Sequence, residues 1–520
     1  MWIRRPLRAR RCHSKAMQIT PVFEDFARLY DAGKPQVVYT SLIADLETPV
    51  SAMLKLADGR PNSFLLESVT GGAIRGRYSF IGLKPDLIWR CNGDKAEINR
   101  NAQADADDFA PCEGGAIDSL RALLDESAID LPDNMPPMAA GLVGYMSYDM
   151  IRLIEKLPDE NPKVIDVPDG LFIRPTVIAV FDTIEDLVTV ITPVRPESGV
   201  DAATAYAMAG ERLTEIVTDF DNPLPYRRDI AATAAEPPAP TSNMAPEQFR
   251  SMVKQAQEYI LAGDIFQVVL SQRFEVPFEL PSFALYRALR RLNPSPFLFY
   301  LNFGGFSIVG SSPEILVRLR DDTVTIRPIA GTRPRGRTPA EDKALEADLL
   351  ADPKELAEHL MLLDLGRNDV GRVAKIGTVR VTEKMKVELY SHVMHIVSNV
   401  EGEIRPDKDA LQALAAGFPA GTVSGAPKVR AMEIIDELET ERRGVYAGCI
   451  GYFGANGDMD TCIALRTAVV KDGKMYVQAG GGIVYDSDPE AEFQESCNKA
   501  KALLRAAEEA FRFAASGNRG

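Results

Sequence analysis

The chain reads as an α+β protein, mainly antiparallel sheets packed as a sandwich with helices outside. Three observations predict this. Strand-like runs rich in β-branched and aromatic residues follow one another closely in the second half. Helical patterns flank those runs instead of alternating with them one for one. Hydrophobic content is 46% and charged content 26%, ordinary values for a soluble globular chain.

With 520 residues the chain exceeds a single small core, and two or three domain-sized units are expected. Residues 1–16 form a basic tail in which Arg4, Arg5, Arg8, Arg10, Arg11 and Lys15 meet no acid. A transit peptide has that character, but this one is short and has a single Ser. A disordered or over-extended start is the expectation. Residues 17–220 mix short strands (Val37–Tyr39, Ser63–Leu66, Leu87–Arg90, Val177–Phe181, Leu187–Ile191) with helices (Pro21–Ala32, Ile117–Asp125, Ala202–Thr218). Residues 221–245 are Pro- and Ala-rich without a period and read as a linker.

From 246 to 515 the elements are denser. A helix with an apolar stripe of Phe249, Met252, Val253, Ala256, Tyr259 and Ile260 runs from Pro246 to Gly263. Strands are expected at Phe266–Phe274, Phe297–Phe303, Phe306–Gly310, Ile315–Arg320 and Thr323–Pro328. Asp352 caps a helix with Pro353 in its first turn, and Glu355 and Glu358 lie one turn apart on it. Strands at Thr378–Thr382 and His392–Val400 precede a helix at Pro427–Glu439, then strands at Gly448–Phe453 and Cys462–Val470.

The last strand is expected to start at Met475 and break at Gly480-Gly481-Gly482. Three glycines let an anion approach bare backbone N–H groups. Asp488 and Pro489 then open a helix with Glu492, Glu495 and Lys499 on one face. One segment thus offers an anion cradle and, a turn later, the hard oxygens that Mg²⁺ takes.

The net charge is −15, with no basic stripe or aromatic-plus-Arg array, so nucleic acid is not an expected partner. No apolar run approaches the roughly 20 residues of a membrane span. Six scattered cysteines without a CxxC pair read as reduced thiols of a cytoplasmic protein, with neither zinc site nor disulfide frame.

Four stretches carry a family resemblance: PIAGTRPRGR (328–337), ELAEHLMLLDLGRNDVGRV (355–373), GFPAGTVSGAPKVRAMEIIDELE (417–439) and MYVQAGGGIVYDSDPEAEFQESCNK (475–499). In this order they resemble the chorismate-using enzymes, which implies the chorismate-binding fold and Mg²⁺ as cofactor. By that resemblance Glu358 and Glu495 ligate the metal, and Glu355 and Glu492 hold its waters. Arg466 and the N–H groups of Gly480 and Gly482 would meet a substrate carboxylate. Tyr446, Gly331, Thr332 and Thr422 would line the same pocket. Lys499 either contacts a carboxylate or pairs with Glu495.

The Glu314 of Ser312-Pro313-Glu314 resembles the family acid that protonates the leaving C4 oxygen. His395 matches the histidine that assists pyruvate loss, and His392 reads as structural. Gln267 stands where water-adding members of the family carry a lysine base. Ala330 stands where aminodeoxychorismate synthases carry a lysine nucleophile. Both departures resemble the anthranilate synthase component I branch, in which ammonia adds at C2 of chorismate. An aminodeoxychorismate or isochorismate synthase and a non-catalytic tryptophan-sensing homologue are the alternatives.

Leu65-Leu66-Glu67-Ser68 resembles the family motif that binds tryptophan as feedback inhibitor. Pro296, Phe297 and Leu298 resemble its second wall, with Tyr452 and Cys462 as further wall positions. The chain shows no nucleophilic-cysteine glutaminase motif. Ammonia is therefore expected from a separate glutamine amidotransferase subunit, and a hetero-oligomer is expected.

Overall fold

Strands that pair across long stretches of sequence need no crossover helix when they run antiparallel, and every strand pair here is antiparallel. The computed structural model describes residues 17–57, 59–70, 74–133, 135–225, 239–390 and 393–515. The basic tail 1–16, the middle of the Pro/Ala-rich segment and His392 lie outside them.

The helices are α1 (Phe23–Asp31), α2 (Pro49–Leu56), α3 (Ala116–Ser127), α4 (Ala202–Asp221), α5 (Pro246–Ala262), α6 (Ser282–Leu292), α7 (Pro339–Ala351), α8 (Pro353–Gly371), α9 (Ala410–Gly417), α10 (Lys428–Leu438) and α11 (Pro489–Ala515). The first strands are β1 (Gln36–Ile43), β2 (Ser63–Thr70), β3 (Ile74–Asn92), β4 (Lys95–Asn99), β5 (Ala110–Pro111), β6 (Gly141–Met146), β7 (Gly170–Asp182) and β8 (Leu187–Val194). The next are β9 (Thr241–Ser242), β10 (Gln267–Pro277), β11 (Phe297–Asn302), β12 (Phe306–Ser312), β13 (Ile315–Arg320), β14 (Thr323–Ile326) and β15 (Ile329–Pro334). Last come β16 (Arg380–Leu389), β17 (Val393–Glu403), β18 (Gly425–Ala426), β19 (Cys449–Gly454), β20 (Met459–Ile463), β21 (Thr467–Lys471) and β22 (Lys474–Ile483).

Two arms of sheet leave the β3–β7 pair. One runs β3–β2–β11–β12–β21–β22–β10. The other runs β7–β6–β19–β20–β13–β14–β17, with β15 and β16 also on β17. Strands from the first half of the sequence therefore pair directly with strands from the second, at β2–β11 and β6–β19. Apolar side chains fill the interior in three large clusters, with a small fourth under α7 made of Leu349, Met394 and Ile396.

Several expected elements shift. The strand expected at Cys462–Val470 is two, because Arg466 turns the chain with φ 47° and β20 and β21 take different partners. The run Thr323–Pro328 likewise ends at Ile326, and β15 starts afresh at Ile329. The strand at Met475 does not break at the glycines. Gly480, Gly481 and Gly482 stay in register opposite Ser271, Leu270 and Val269 of β10. A Cβ at Gly480 would meet the Leu270 carbonyl oxygen at 2.2 Å, so glycine is what lets the strands close.

One buried ion pair joins the segments around that closure. The Arg443 guanidinium donates to both oxygens of Glu439 (2.9 and 2.6 Å), to Val423 O and to Val269 O (both 2.7 Å). Glu439 Oε1 also accepts from the Ser271 N–H (2.9 Å) and hydroxyl (2.7 Å). Gln478 Nε2 on β22 donates to the same hydroxyl at 2.8 Å. The rings of Tyr148 and Tyr446 flank the guanidinium at 4.8 and 5.5 Å. β10, the turn Gly421–Val423, the end of α10 and β22 thus share one charge centre. Arg443→Met strands Glu439 in the interior and is expected to cost about 3–5 kcal/mol in urea unfolding. A loss below about 1 kcal/mol would show that the pair contributes little.

Candidate active site

Four carboxylates converge from two helices. Asp352 accepts from the N–H groups of Lys354 (3.0 Å) and Glu355 (3.4 Å), which starts α8 so that Glu355 and Glu358 share a turn. Asp488 Oδ1 accepts from Ala491 N at 2.8 Å and starts α11 before Glu492 and Glu495. The glycines of β22 clear the space between. A Cβ at Gly481 would lie 2.9 Å from Glu492 Oε2 and 3.6 Å from Glu495 Oε1. One at Gly482 would lie 2.3 Å from Gln267 Nε2, which itself donates to Glu358 Oε1 at 3.3 Å. Gly331 makes similar room for Glu355.

Burial raises the carboxyl of Glu358, the Gln267 amide opposes, and the charges of Glu355 and Glu495 raise it further. Burial also raises Glu492, with Glu495 adding to it. Crowded carboxylates that repel one another are the donor set of a hard cation. No three His, Cys, Asp or Glu among the described residues come together closely enough to hold an ion unaided. Mg²⁺ takes one or two carboxylates and fills the rest of its shell with water and substrate oxygens. Glu358 and Glu495 are the residues that would hold it. Glu355 is occupied by Arg333 (3.0 Å), which also grips Asp352 and Asp348, and Glu492 accepts from the Ser487 hydroxyl (2.7 Å). Lys499 sits 2.8 Å from Glu495 Oε1 and donates to Gly480 O at 3.0 Å, so it is placed as Glu495's partner.

The other arm supplies the proton-carrying groups. His395 Nδ1 on β17 lies 3.1 Å from both Thr332 Oγ1 and Gly331 O. A carbonyl only accepts, so Nδ1 carries the proton and a neutral ring keeps its lone pair at Nε2. Burial drives the His395 pKa down to about 4, with the Arg466 and Lys499 charges pushing the same way and the Gly331 carbonyl opposing. Glu314, between β12 and β13, is buried, which pushes its carboxyl up to about 8 against hydrogen bonds from Thr422 Oγ1 (3.1 Å) and the Ile329 N–H. It is therefore a protonated acid at neutral pH. A narrow cleft opens beside Glu314 and Thr422, walled by Leu316, Ile326, Leu362 and Leu365.

Arg466 is held by its left-handed turn, with its carbonyl accepting from Ser311 N at 3.1 Å. Its guanidinium meets no carboxylate among the described residues, and burial lowers its pKa. A guanidinium offers a fork of N–H donors that matches a carboxylate. β21 ends opposite Val477, so one backbone edge of Gly480–Gly482 has no strand beside it. Tyr446 lies buried against Arg443.

Two side chains escaped the sequence reading. Tyr390 stacks edge-on to His395 at 5.3 Å and lies within electrostatic reach of Glu314 and Arg466. Its signal was an aromatic residue just ahead of SHVMH. Arg333, inside PIAGTRPRGR, binds Asp348, Asp352 and Glu355 at once.

The expected inhibitor wall is brought together in part. Phe297, Tyr452 and Cys462 pack in one cluster with Phe80 and Leu66. Leu298 points to the opposite face of β11, into the cluster that holds Tyr286, because neighbouring strand residues alternate. Glu67 is tied internally, accepting from Arg290 (2.6 and 2.7 Å) and Tyr286 (2.5 Å). Ser68 follows it on β2, and Pro296 directly precedes β11.

A family model described as chorismate binding enzyme matches residues 78–505. The anthranilate synthase component 1 of Cereibacter sphaeroides is 62% identical over 498 residues, 96% of this chain and 99% of that protein. That of Pseudomonas putida is 47% identical over 493 residues, 93% of this chain and 97% of its own length. The solved anthranilate synthase component I from Streptococcus pneumoniae aligns with a TM-score of 0.73 at 36% identity, over 89% of this chain and 99% of that one. The menaquinone-specific isochorismate synthase of Escherichia coli aligns with a TM-score of 0.67 at 20% identity, over 93% and 98%, and shares the fold.

Glu314 binds its proton more tightly folded than unfolded, so its contribution to stability is full below pH 4.5 and is lost as pH rises through about 8. Glu314→Gln removes that slope. The wild-type-minus-variant unfolding free energy should fall by up to about 1.4 kcal/mol per pH unit inside this window. A difference that stays level from pH 5 to 8 would mean the carboxyl is already ionised at pH 5.

Proposed function

The chain belongs to the chorismate-binding enzymes, as an anthranilate synthase component 1, and from that membership we propose a Mg²⁺-assisted route to anthranilate. Ammonia adds at C2 of chorismate, the C4 hydroxyl leaves, and pyruvate is then eliminated. The observation that supports it most is a buried Glu314 carboxyl held by Thr422 Oγ1 and a His395 ring fixed by the Gly331 carbonyl within reach of Arg466, which meets no carboxylate among the described residues. Glu314 gives its proton to the departing C4 oxygen, and Thr422 Oγ1 holds the carboxyl in place. Arg466 and the N–H groups of Gly480 and Gly482 receive a substrate carboxylate. Bound between Glu358 and Glu495, Mg²⁺ would supply Lewis-acid polarisation of the ring carboxylate. His395, with its proton fixed on Nδ1, takes the ring proton at Nε2 as pyruvate is lost.

Gln267 and Ala330 favour amination over the sister reactions. Gln267 has no basic nitrogen to activate water, and its amide is occupied by Glu358. Ala330 pairs with Ile396 on β15 and offers no amine to attack C2. The relatives' designation as component 1 supports a separate amidotransferase as the ammonia source. No described helix is long and apolar enough to cross a membrane, in keeping with a cytoplasmic enzyme. The cluster of Phe297, Tyr452 and Cys462, which Leu66 joins from β2 two residues before Ser68, supports tryptophan as the inhibitor it would hold.

Incubation with chorismate, ammonium and Mg²⁺ should produce anthranilate fluorescence that EDTA abolishes. Glu358→Gln and Glu495→Gln should each lower kcat/KM about a hundredfold or more. A non-fluorescent amino product, or wild-type turnover in both variants, would refute the route. Saturating tryptophan should suppress the wild-type signal and leave Ser68→Phe active. An uninhibited wild type would remove the regulatory reading.

A further inference from the structure

His359 follows Glu358 on α8 and is fully buried, between the site and the apolar side of the helix that carries Leu362 and Leu363. Its Nε2 lies 2.7 Å from Ser398 Oγ on β17, and its Nδ1 meets no partner among the described residues. The same hydroxyl accepts from Met385 N at 2.9 Å. Met385 has φ 52° and sits where the β16–β17 register slips between Glu383 and Lys386. One hydroxyl therefore links α8, β17 and the irregular turn of β16 that its ladder leaves unpaired.

An orphaned ring nitrogen in the interior is costly, and a leucine would fill an apolar stripe without that cost. Burial alone does not account for histidine here, whereas the single directed bond to Ser398 does. That bond is placed to matter. α8 carries Glu355 and Glu358, whereas β17 carries His395 three residues before Ser398 and on the opposite face of the strand. The acidic groups and the base thus ride on different elements, and apolar packing between helix and sheet is non-directional.

We propose that His359 is a positioning residue: through Ser398 it fixes how α8 is seated along β17, and so where Glu355 and Glu358 stand relative to His395. The inference rests on the reading that these groups serve one reaction. His359→Leu and Ser398→Ala are each expected to fold, to lower kcat about tenfold and to leave the chorismate KM within about twofold. The double variant should be no slower than Ser398→Ala alone, because that change already removes the bond to His359. His359→Gln, whose amide reaches the place of Nε2, should recover kcat to within about threefold. Mn²⁺ binding followed by electron paramagnetic resonance should weaken about tenfold in His359→Leu and recover in His359→Gln.

Unchanged kcat in His359→Leu and Ser398→Ala, or fully multiplicative losses in the double variant, would overturn the proposal. If His359→Leu does not fold, Ser398→Ala decides by kcat alone. If the wild type binds no Mn²⁺, the metal reading fails and the kcat pattern still decides the positioning role.

Discussion

The buried pair of Arg443 and Glu439 is the constraint on which the site depends. Two charges out of water are stable only when every donor and acceptor is met. Here Glu439 takes the guanidinium and the Ser271 N–H and hydroxyl, while Arg443 also serves the carbonyls of Val269 and Val423. Those carbonyls and that amide lie in the segments that carry Gln267 and Thr422, and the Ser271 hydroxyl also accepts from Gln478, two residues before Gly480 on β22. The pair thereby converts an electrostatic demand for complete hydrogen bonding into fixed backbone positions one to four residues from the chemistry.

The two sheet arms give the site its division of labour. The arm ending in β22 and β10 brings glycine backbone, Gln267 and the carboxylates of α11. The arm ending in β17 brings His395, Thr332 and, at its side, α8. Burial acts on the two ends in opposite senses. It holds Glu314 protonated and His395 neutral, so an acid and a base coexist near neutral pH in their reactive forms. Burial lowers the Arg466 pKa, and its guanidinium meets no carboxylate among the described residues.

Much of this was legible in the sequence where local rules act alone. Asp352-Pro353 and Asp488-Pro489 marked the two helix starts, and the spacing of Glu355, Glu358, Glu492 and Glu495 placed them on helix faces. The antiparallel character was legible too. What failed depended on partners distant in sequence. Three glycines read as a break, but across from β10 they are what permits pairing. Arg466 read as mid-strand, since nothing local announces that β20 and β21 join different neighbours. Glu439 and Arg443 stand four apart like any solvated pair, and only the fold buries them. Leu298 and Phe297 were grouped as one wall, although strand alternation parts them. That Glu67 accepts from Arg290 and Tyr286, more than two hundred residues on, was likewise not legible locally.

The most direct test of the central claim is native-state hydrogen exchange of Glu439→Gln against the wild type. The account predicts that amides in 267–272, 421–424 and 478–483 lose protection together, while those in β8 at 187–194 keep theirs. Unchanged protection in all three segments, or a loss confined to 439–443, would contradict it.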